Sequence, residues 1–370
     1  MRVCVDVLPL LVRSAGVKNY LYYWVSHLRE LAGSQAIRLF PPLADLGPLD
    51  HEKSIAGPVR SLGGLASLAL INYAGAPLHD WFAGADLFHS TNLIRVPPRR
   101  ARLTTTVHDV TSWIFPELHS SANRRADQGF ERMLRAADGV IAVSASTRDD
   151  VVRRLGVEEK KIEVIHSGVA ERFFRVGAAE VEAAREALRL SRPYVLYVGA
   201  IEPRKNLEAL LDAWGSLPAS LREEFERVLA GPKGWAGAEL LARLAAPPPG
   251  VRYLGYVPEE QIAGLTAGAT VFVYPSLYEG FGFPVVQAMA AGAPVVTSAV
   301  SSLPEVTGDA ASLVDPHSRA ELAQAIESLL LSPSARQRRS LAGRAQAQRF
   351  TWTECARKSL DFFRRVHAAA

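Results

Sequence analysis

Short apolar runs recur along this chain, each followed by a turn rich in Gly or polar residues and then by a stretch with helical spacing. In the first half, residues 3–7, 86–89, 103–108, 139–143 and 164–166 read as strands. Residues 20–31 have the spacing of a helix, and a second helix starts near Ser146, a suitable N-cap with Asp149 and Asp150 in its first turn. The rhythm breaks between residues 168 and 192, where 179–190 is helix-like and no strand occurs. It then restarts, with strands at 194–198, 227–230, 251–254, 269–274, 294–297 and 311–314, and helices at 207–217, 258–265 and from Pro284. Strands that are apolar throughout are buried on both faces, and strands alternating with helices form a parallel sheet covered by helices on both sides. Two such series imply an α/β chain of two Rossmann-like parallel-sheet domains facing across a cleft. The expected boundaries are 1–170 for an N-terminal Rossmann-like domain, 171–192 for an interdomain connection, and 193–348 for a C-terminal Rossmann-like domain. The last helix, 349–370, is expected to pack back on the N-terminal domain. Residues 62–73 are apolar and too short to span a bilayer; they read as a core helix or as one that dips into a membrane surface, with the core or the cleft rim favoured.

Composition changes this picture little. A chain of 370 residues exceeds the usual limit of one core. Apolar content of 48% and charged content of 22% are ordinary for a soluble globular protein. Residues 3–7 follow the first Met almost directly, so no signal peptide is read, and no charge-free run is long enough to cross a membrane. Cys4 and Cys355 lack metal-ligand spacing and are expected to stay reduced in the cytoplasm. A net charge of +4, from 42 basic and 38 acidic residues, is too balanced for a nucleic-acid partner. The arginines do cluster, at Arg95, Arg99, Arg100 and Arg102 and again at Arg124, Arg125, Arg132 and Arg135. Each cluster reads either as a solvated face or as a patch for anionic headgroups or a phosphorylated acceptor.

The chemistry-bearing residues lie just after strands, where ligands bind in open parallel sheets. Glu279 opens a Gly-rich turn, Glu279-Gly280-Phe281-Gly282-Phe283, which runs into a helix at Pro284. Exposed backbone N–H groups at such a helix start favour anions, and the neighbouring carboxylate suits a polar ligand bearing phosphate. Arg204 and Lys205 occupy another strand-to-helix turn, where adjacent cations can grip a diphosphate and stabilise the charge that grows as it departs. His108 ends a strand; it can bond a sugar hydroxyl or be a satisfied core histidine. Gly16 follows the first strand, either as a close approach to phosphate or as a plain turn. A Rossmann GxGxxG after the first strand, a Walker loop and zinc spacing are all missing, which argues against a nicotinamide enzyme, an ATPase and a zinc hydrolase.

Several stretches carry a resemblance: YVGAIEPRKNLEALLDAW, VFVYPSLYEGFGFPVVQAMAAGAPVVTSAVSSLPEVTGDAASLVDP and, more loosely, AGVKNYLYYWVSHL, TVHDV, VSASTRDD and VIHSGVAERFF. The chain resembles the retaining glycosyltransferases of family 4, which have the GT-B fold. The resemblance implies transfer of a hexose from a nucleotide-sugar donor with retained anomeric configuration, with no cofactor and no required metal. It implies that Arg204 and Lys205 hold the donor diphosphate and that Glu279 contacts sugar hydroxyls. The amides of Gly280, Phe281, Gly282 and Phe283 would meet sugar and phosphate, His108 the sugar, and Gly16 the phosphate. One departure stands out: where the family has a second glutamate that binds the ribose, this chain has Gln287. Ala15-Gly16 also replaces a common pair of glycines. The text around residues 201–207 and 301–316 is similar to bacterial mannosyltransferases of surface-polysaccharide synthesis, which tilts the donor toward GDP-mannose, with a UDP-sugar next. The acceptor would be a glycan or a lipid-linked saccharide, and the enzyme cytoplasmic, with a peripheral contact at the inner face of the membrane compatible with the basic clusters. A nucleotide-sugar epimerase on the same fold and a non-catalytic nucleotide-sugar-binding subunit are the alternatives.

Overall fold

The computed structural model describes the chain except residues 15, 77, 120 and 370, and leaves the side chains of 81–83, 121–123, 125 and 126 undescribed. Ala15 and the side chain of Arg125 therefore lie outside the described residues. The chain divides into two compact units, Met1–Gly168 with Thr351–Ala370, and Val169–Phe350.

The first unit holds β1 (Val3–Asp6), β2 (Ile37–Phe40), β3 (Leu87–Ser90), β4 (Arg102–Val107), β5 (Gly139–Ala142) and β6 (Ile162–Val164) in one parallel sheet of order β2-β1-β3-β4-β5-β6. Burial of nearly every residue in β1, β3, β4 and β5 explains why these strands read as unbroken apolar or Thr-rich runs. Helix α1 (Gly16–Ala32) buries Tyr20, Leu21, Trp24, Val25 and Leu28, one face at helical spacing. That face meets the helix Trp352–Ala368: Trp24 Nε1 donates to Ser359 Oγ at 2.9 Å, and the Tyr23 and Trp352 rings stack at 5.8 Å. This packing places residues 351–370 in the first unit.

The second unit holds β7 (Tyr194–Val198), β8 (Glu226–Ala230), β9 (Val251–Gly255), β10 (Val271–Tyr274), β11 (Val295–Ser298) and β12 (Ser312–Val314), parallel in the order β12-β11-β10-β7-β8-β9. The chain builds outward from β7 through β8 to β9, then returns and builds the other way from β10. β7 and β10 are thus neighbours at the point where strand order reverses, the place in such sheets where a crevice forms beyond the carboxyl ends. Residues 171–192, expected as a connection, pack against this unit. Helix Ala178–Ala187 lies so close to helix Glu259–Ala267 that a Cβ on Gly264 would meet the Glu180 carbonyl oxygen at 2.4 Å.

Local expectations need three corrections. The helix near Ser146 is Ala145–Leu155, and its cap is Ser144, whose Oγ accepts the Thr147 N–H at 3.0 Å. β2 was not expected, because four residues with one exposed give too short a pattern to read. Residues 62–73 belong to helix α2 (Pro58–Ala74), which buries only Gly64 and Ile71 and is not a core helix.

Candidate functional site

The loops after β7 and β10 are tied together at the strand-order reversal. The first runs through a 3-10 turn, Pro203–Lys205, and ends at Asn206 in the left-handed region with φ 58°. Asn206 Nδ2 donates to the carbonyls of Pro275 at 3.1 Å and Pro316 at 2.8 Å, and the Leu277 N–H donates to the Arg204 carbonyl at 2.8 Å. This scaffold aims the side chains of Arg204 and Lys205 at Glu279.

Three donors converge on one oxygen of that carboxylate. Lys205 Nζ lies 2.6 Å from Glu279 Oε1, Ser276 Oγ 2.7 Å and Arg204 Nη1 2.9 Å. Lys205 also donates to Tyr274 Oη at 2.6 Å, and Arg204 to the Tyr278 carbonyl at 2.6 Å. Burial alone would raise the Glu279 pKa, but Arg204, Lys205 and Ser276 outweigh it and hold it at about 2. Burial and the adjacent Arg204 push Lys205 below its ordinary value, while Glu279 pulls it back. The backbone of Glu279 is fixed as well: its N–H donates to Ser301 Oγ at 2.9 Å, and its carbonyl accepts from Ser302 Oγ at 2.9 Å. Ser301 itself sits at φ 52°, a conformation costly for a residue with a Cβ.

Beyond Glu279 the chain passes Gly280 and Phe281 and enters the helix Phe283–Ala291 through Gly282 at φ 91°. Pro284 lies within the first turn rather than opening it. The first N–H groups of this helix are therefore presented beside the carboxylate. Gln287, one turn in, is half-buried. Glu279, Arg204, Lys205, Gly280, Phe281, Gly282, Phe283 and Gln287 thus share one neighbourhood of the second unit. Sequence reasoning missed Ser276, Tyr274, Ser301 and Ser302; a serine after Pro275 and a serine pair after β11 give no signal without the fold.

Gly16 and His108 belong to the first unit. Gly16 begins α1, and Tyr20, one turn on, meets the His108 ring edge-to-face at 4.7 Å. His108 directly follows β4 and is partly exposed. Desolvation pushes its pKa down to about 4, which leaves a neutral imidazole able both to donate and to accept. His89 is the satisfied core histidine of this unit: its nitrogens lie 3.0 Å from Thr104 Oγ1 and 3.0 Å from Thr106 Oγ1.

A carboxylate braced by two cations at the strand-order reversal, beside a helix start rich in backbone N–H groups, is an arrangement chemically suited to a polar ligand carrying phosphate. Residues 14–172 match the family described as Glycosyltransferase Family 4, and residues 179–346 the family described as Glycosyl transferases group 1. The chain is 34% identical over 282 residues to the O-antigen chain mannosyltransferase B of Escherichia coli, covering 75% of this chain and 74% of that one. It is 30% identical to the serotype-specific mannosyltransferase WbdA of the same organism, over 64% of this chain but 29% of that longer protein. Among solved structures, Anabaena Alr3699/HepE in complex with UDP-glucose superposes with a TM-score of 0.75 at 19% identity, covering 99% of this chain and 100% of that one. A sucrose-phosphate synthase from Thermosynechococcus elongatus gives 0.74 at 23%, with both chains fully covered. The fold is GT-B, and the protein is a glycosyltransferase. It belongs to family 4 of that class.

Proposed function

We propose that this protein transfers a mannosyl residue from GDP-mannose to a hydroxyl of a glycan or lipid-linked saccharide, with retained configuration and no required metal. The observation that carries the reading is the braced Glu279, with Oε1 held by Arg204, Lys205 and Ser276 beside the helix start at Phe283. The similarity to the E. coli mannosyltransferases supports the sugar. In the proposed reaction the acceptor hydroxyl attacks the anomeric carbon on the face from which the diphosphate departs. Its proton passes to the departing phosphate oxygen, so GDP leaves protonated and the new glycosidic bond keeps the donor's configuration. Arg204, Lys205 and the helix start at Phe283 offset the negative charge that develops on the phosphate, and no acid–base pair is needed. His108 and Gly16 keep their assigned roles toward sugar and phosphate as part of the proposal.

Thermal shift against GDP, UDP, ADP and their sugar conjugates tests the donor. A ligand that binds the folded state stabilises it by about 2.7 kcal/mol at a hundredfold excess over its Kd. GDP and GDP-mannose are expected to raise the melting temperature more than the other nucleotides. Stabilisation by UDP alone would move the donor to a UDP-sugar, and no response to any nucleotide would overturn the reading. Consumption of GDP-mannose to another nucleotide-sugar without an acceptor would favour the epimerase, and tight binding without turnover across many acceptors a binding subunit.

Gln287 is proposed to bind the donor ribose through its amide oxygen. A carboxylate there would accept a charge-assisted bond, so Gln287→Glu should tighten GDP binding by about fivefold in a calorimetric titration. An unchanged Kd would remove the ribose role.

A further inference from the structure

Two adjacent serines, Ser301 and Ser302, follow β11 and lead into the helix Leu303–Thr307. A serine before a helix ordinarily turns its hydroxyl to the first N–H groups of that helix. Ser302 occupies the N-cap position, yet its side chain makes no such bond. Both hydroxyls meet the backbone of Glu279 instead. Ser301 Oγ accepts the Glu279 N–H at 2.9 Å, and Ser302 Oγ donates to the Glu279 carbonyl at 2.9 Å. Ser301 gives its own proton to the Val300 carbonyl at 2.8 Å, so its oxygen serves Glu279 as an acceptor.

These bonds pin the two peptide planes on either side of the Glu279 Cα. The N–H belongs to the peptide joining Tyr278 to Glu279, and the carbonyl to the peptide joining Glu279 to Gly280. With both planes held, the direction in which the Glu279 side chain leaves the backbone is set. A trans peptide points its N–H away from its carbonyl, so the Ser302 bond also sets the direction of the Gly280 N–H. Leu303 supports the next part of the turn: a Cβ on Gly282 would meet Leu303 Cδ2 at 2.8 Å. Residues 301–303 thus buttress the Gly-rich turn from the β11 side of β10, while Arg204 and Lys205 brace the carboxylate from the β7 side. Ser301 holds its place against its own backbone preference. Its φ of 52° lies in the left-handed region, which a glycine adopts freely and a residue with a Cβ does not. A glycine there would relieve the backbone but could not hold the Glu279 N–H.

We propose that Ser301 is a positioning residue for Glu279, its strained backbone carrying the hydroxyl that holds the Glu279 peptide, and so the carboxylate, in the orientation that meets the donor sugar. Strain of this kind persists where the surrounding structure enforces it and clusters at functional sites. Ser301 acts through Glu279. Without its oxygen the Tyr278–Glu279 peptide is free to turn. The carboxylate then stays charged and paired with Arg204 and Lys205 but meets the sugar at a different angle. The grip of Arg204 and Lys205 on a diphosphate does not depend on that peptide. The inference rests on the contact between Glu279 and the donor sugar, and its test is a binding measurement that needs no acceptor.

The test is calorimetric titration of the full chain with GDP and with GDP-mannose, or with the nucleotide and sugar conjugate that thermal shift selects. Ser301→Gly, Ser301→Ala and Glu279→Gln are titrated beside the parent, and their melting temperatures are recorded. Both Ser301 variants should keep the parent's Kd for the nucleotide and lose about tenfold in affinity for the sugar conjugate, the scale of one weakened charge-assisted hydrogen bond. Ser301→Gly is free of the backbone strain and should melt roughly 2–4 °C above Ser301→Ala, yet lose the same sugar affinity. A role confined to stability gives another pattern, with sugar affinity following the melting temperature, so a glycine variant that binds the conjugate better than the alanine variant would overturn the proposal. Parent-level affinity for the conjugate in both Ser301 variants, with a loss in Glu279→Gln, would overturn this inference alone. No loss in Glu279→Gln either would remove the sugar contact on which it rests, and a parent chain that binds neither ligand would remove the donor reading and this inference together.

Discussion

Replacing Glu279 by Gln should reduce sugar transfer by at least a hundredfold to a thousandfold, a range typical of losing one fixed electrostatic group at a reacting centre. The amide keeps the shape of the side chain but cannot balance Arg204 and Lys205, which lie 2.9 and 2.6 Å from Oε1. Leaving buried partners without their counter-charge costs up to about 3–5 kcal/mol, so the variant should also melt earlier. Two further readouts separate a catalytic loss from simple unfolding. GDP should bind the variant at least as well as the parent, because the site gains positive charge, and saturating GDP should recover much of the lost stability. The stability gap should also be flat with pH in the neutral range. Glu279 has a folded pKa of about 2, below its ordinary value of 4.5, so its contribution is complete above about 4.5 and is lost as pH falls toward 2. Near-normal transfer by the variant would sink the role given to this carboxylate.

What could be read in the sequence depended on how each feature encodes itself. Strands buried on both faces announce themselves as apolar runs, and β7 and β10 were legible for that reason. So was Glu279, because a carboxylate on a Gly-rich turn between such a strand and a helix is an unusual juxtaposition. The bracing of its Oε1 was not legible. Tyr274 and Ser276 act through contacts set by the adjacency of β7 and β10, and that adjacency follows from strand order rather than local pattern. Helix α2 failed for a related reason. Hydrophobicity alone cannot distinguish a helix that buries its apolar side from one that exposes it, and here Gly64 and Ile71 take the inner face while Leu62 and Tyr73 are left outside. The arginine clusters likewise needed coordinates, since Arg102 bonds inward to a carbonyl while Arg99 and Arg100 stay exposed.

A second large effect is expected far from any charge, at Gly231. This residue follows β8 at φ 144° and donates its N–H to the Gly255 carbonyl at 2.7 Å. A Cβ here would meet the Gly199 carbonyl oxygen at 1.9 Å and its carbon at 2.5 Å. Both are backbone atoms of the strand-to-turn segment that leads to Arg204 and Lys205, so no side chain can swing aside to make room. That segment is bonded to its neighbour on either side of the contact, by Gly199 N–H to the Ala230 carbonyl at 2.9 Å and Ile201 N–H to the Pro232 carbonyl at 3.0 Å. Gly231→Ala must therefore break this pairing or displace the turn, and a loss of about 3 kcal/mol or more is expected in urea unfolding. Gly215→Ala is the matched control: Gly215 is in a helix with no heavy atom within 4 Å of the new methyl, so stability should hold or rise by about 0.5–1 kcal/mol. If Gly231→Ala folds at all, the displaced turn should carry the two cations away from Glu279, and GDP affinity should fall together with stability. Equal stability of the two variants would mean that β8 and the turn after β7 do not approach as closely as the carbonyl contact requires, and the geometry that places Arg204 and Lys205 beside Glu279 would fall with it.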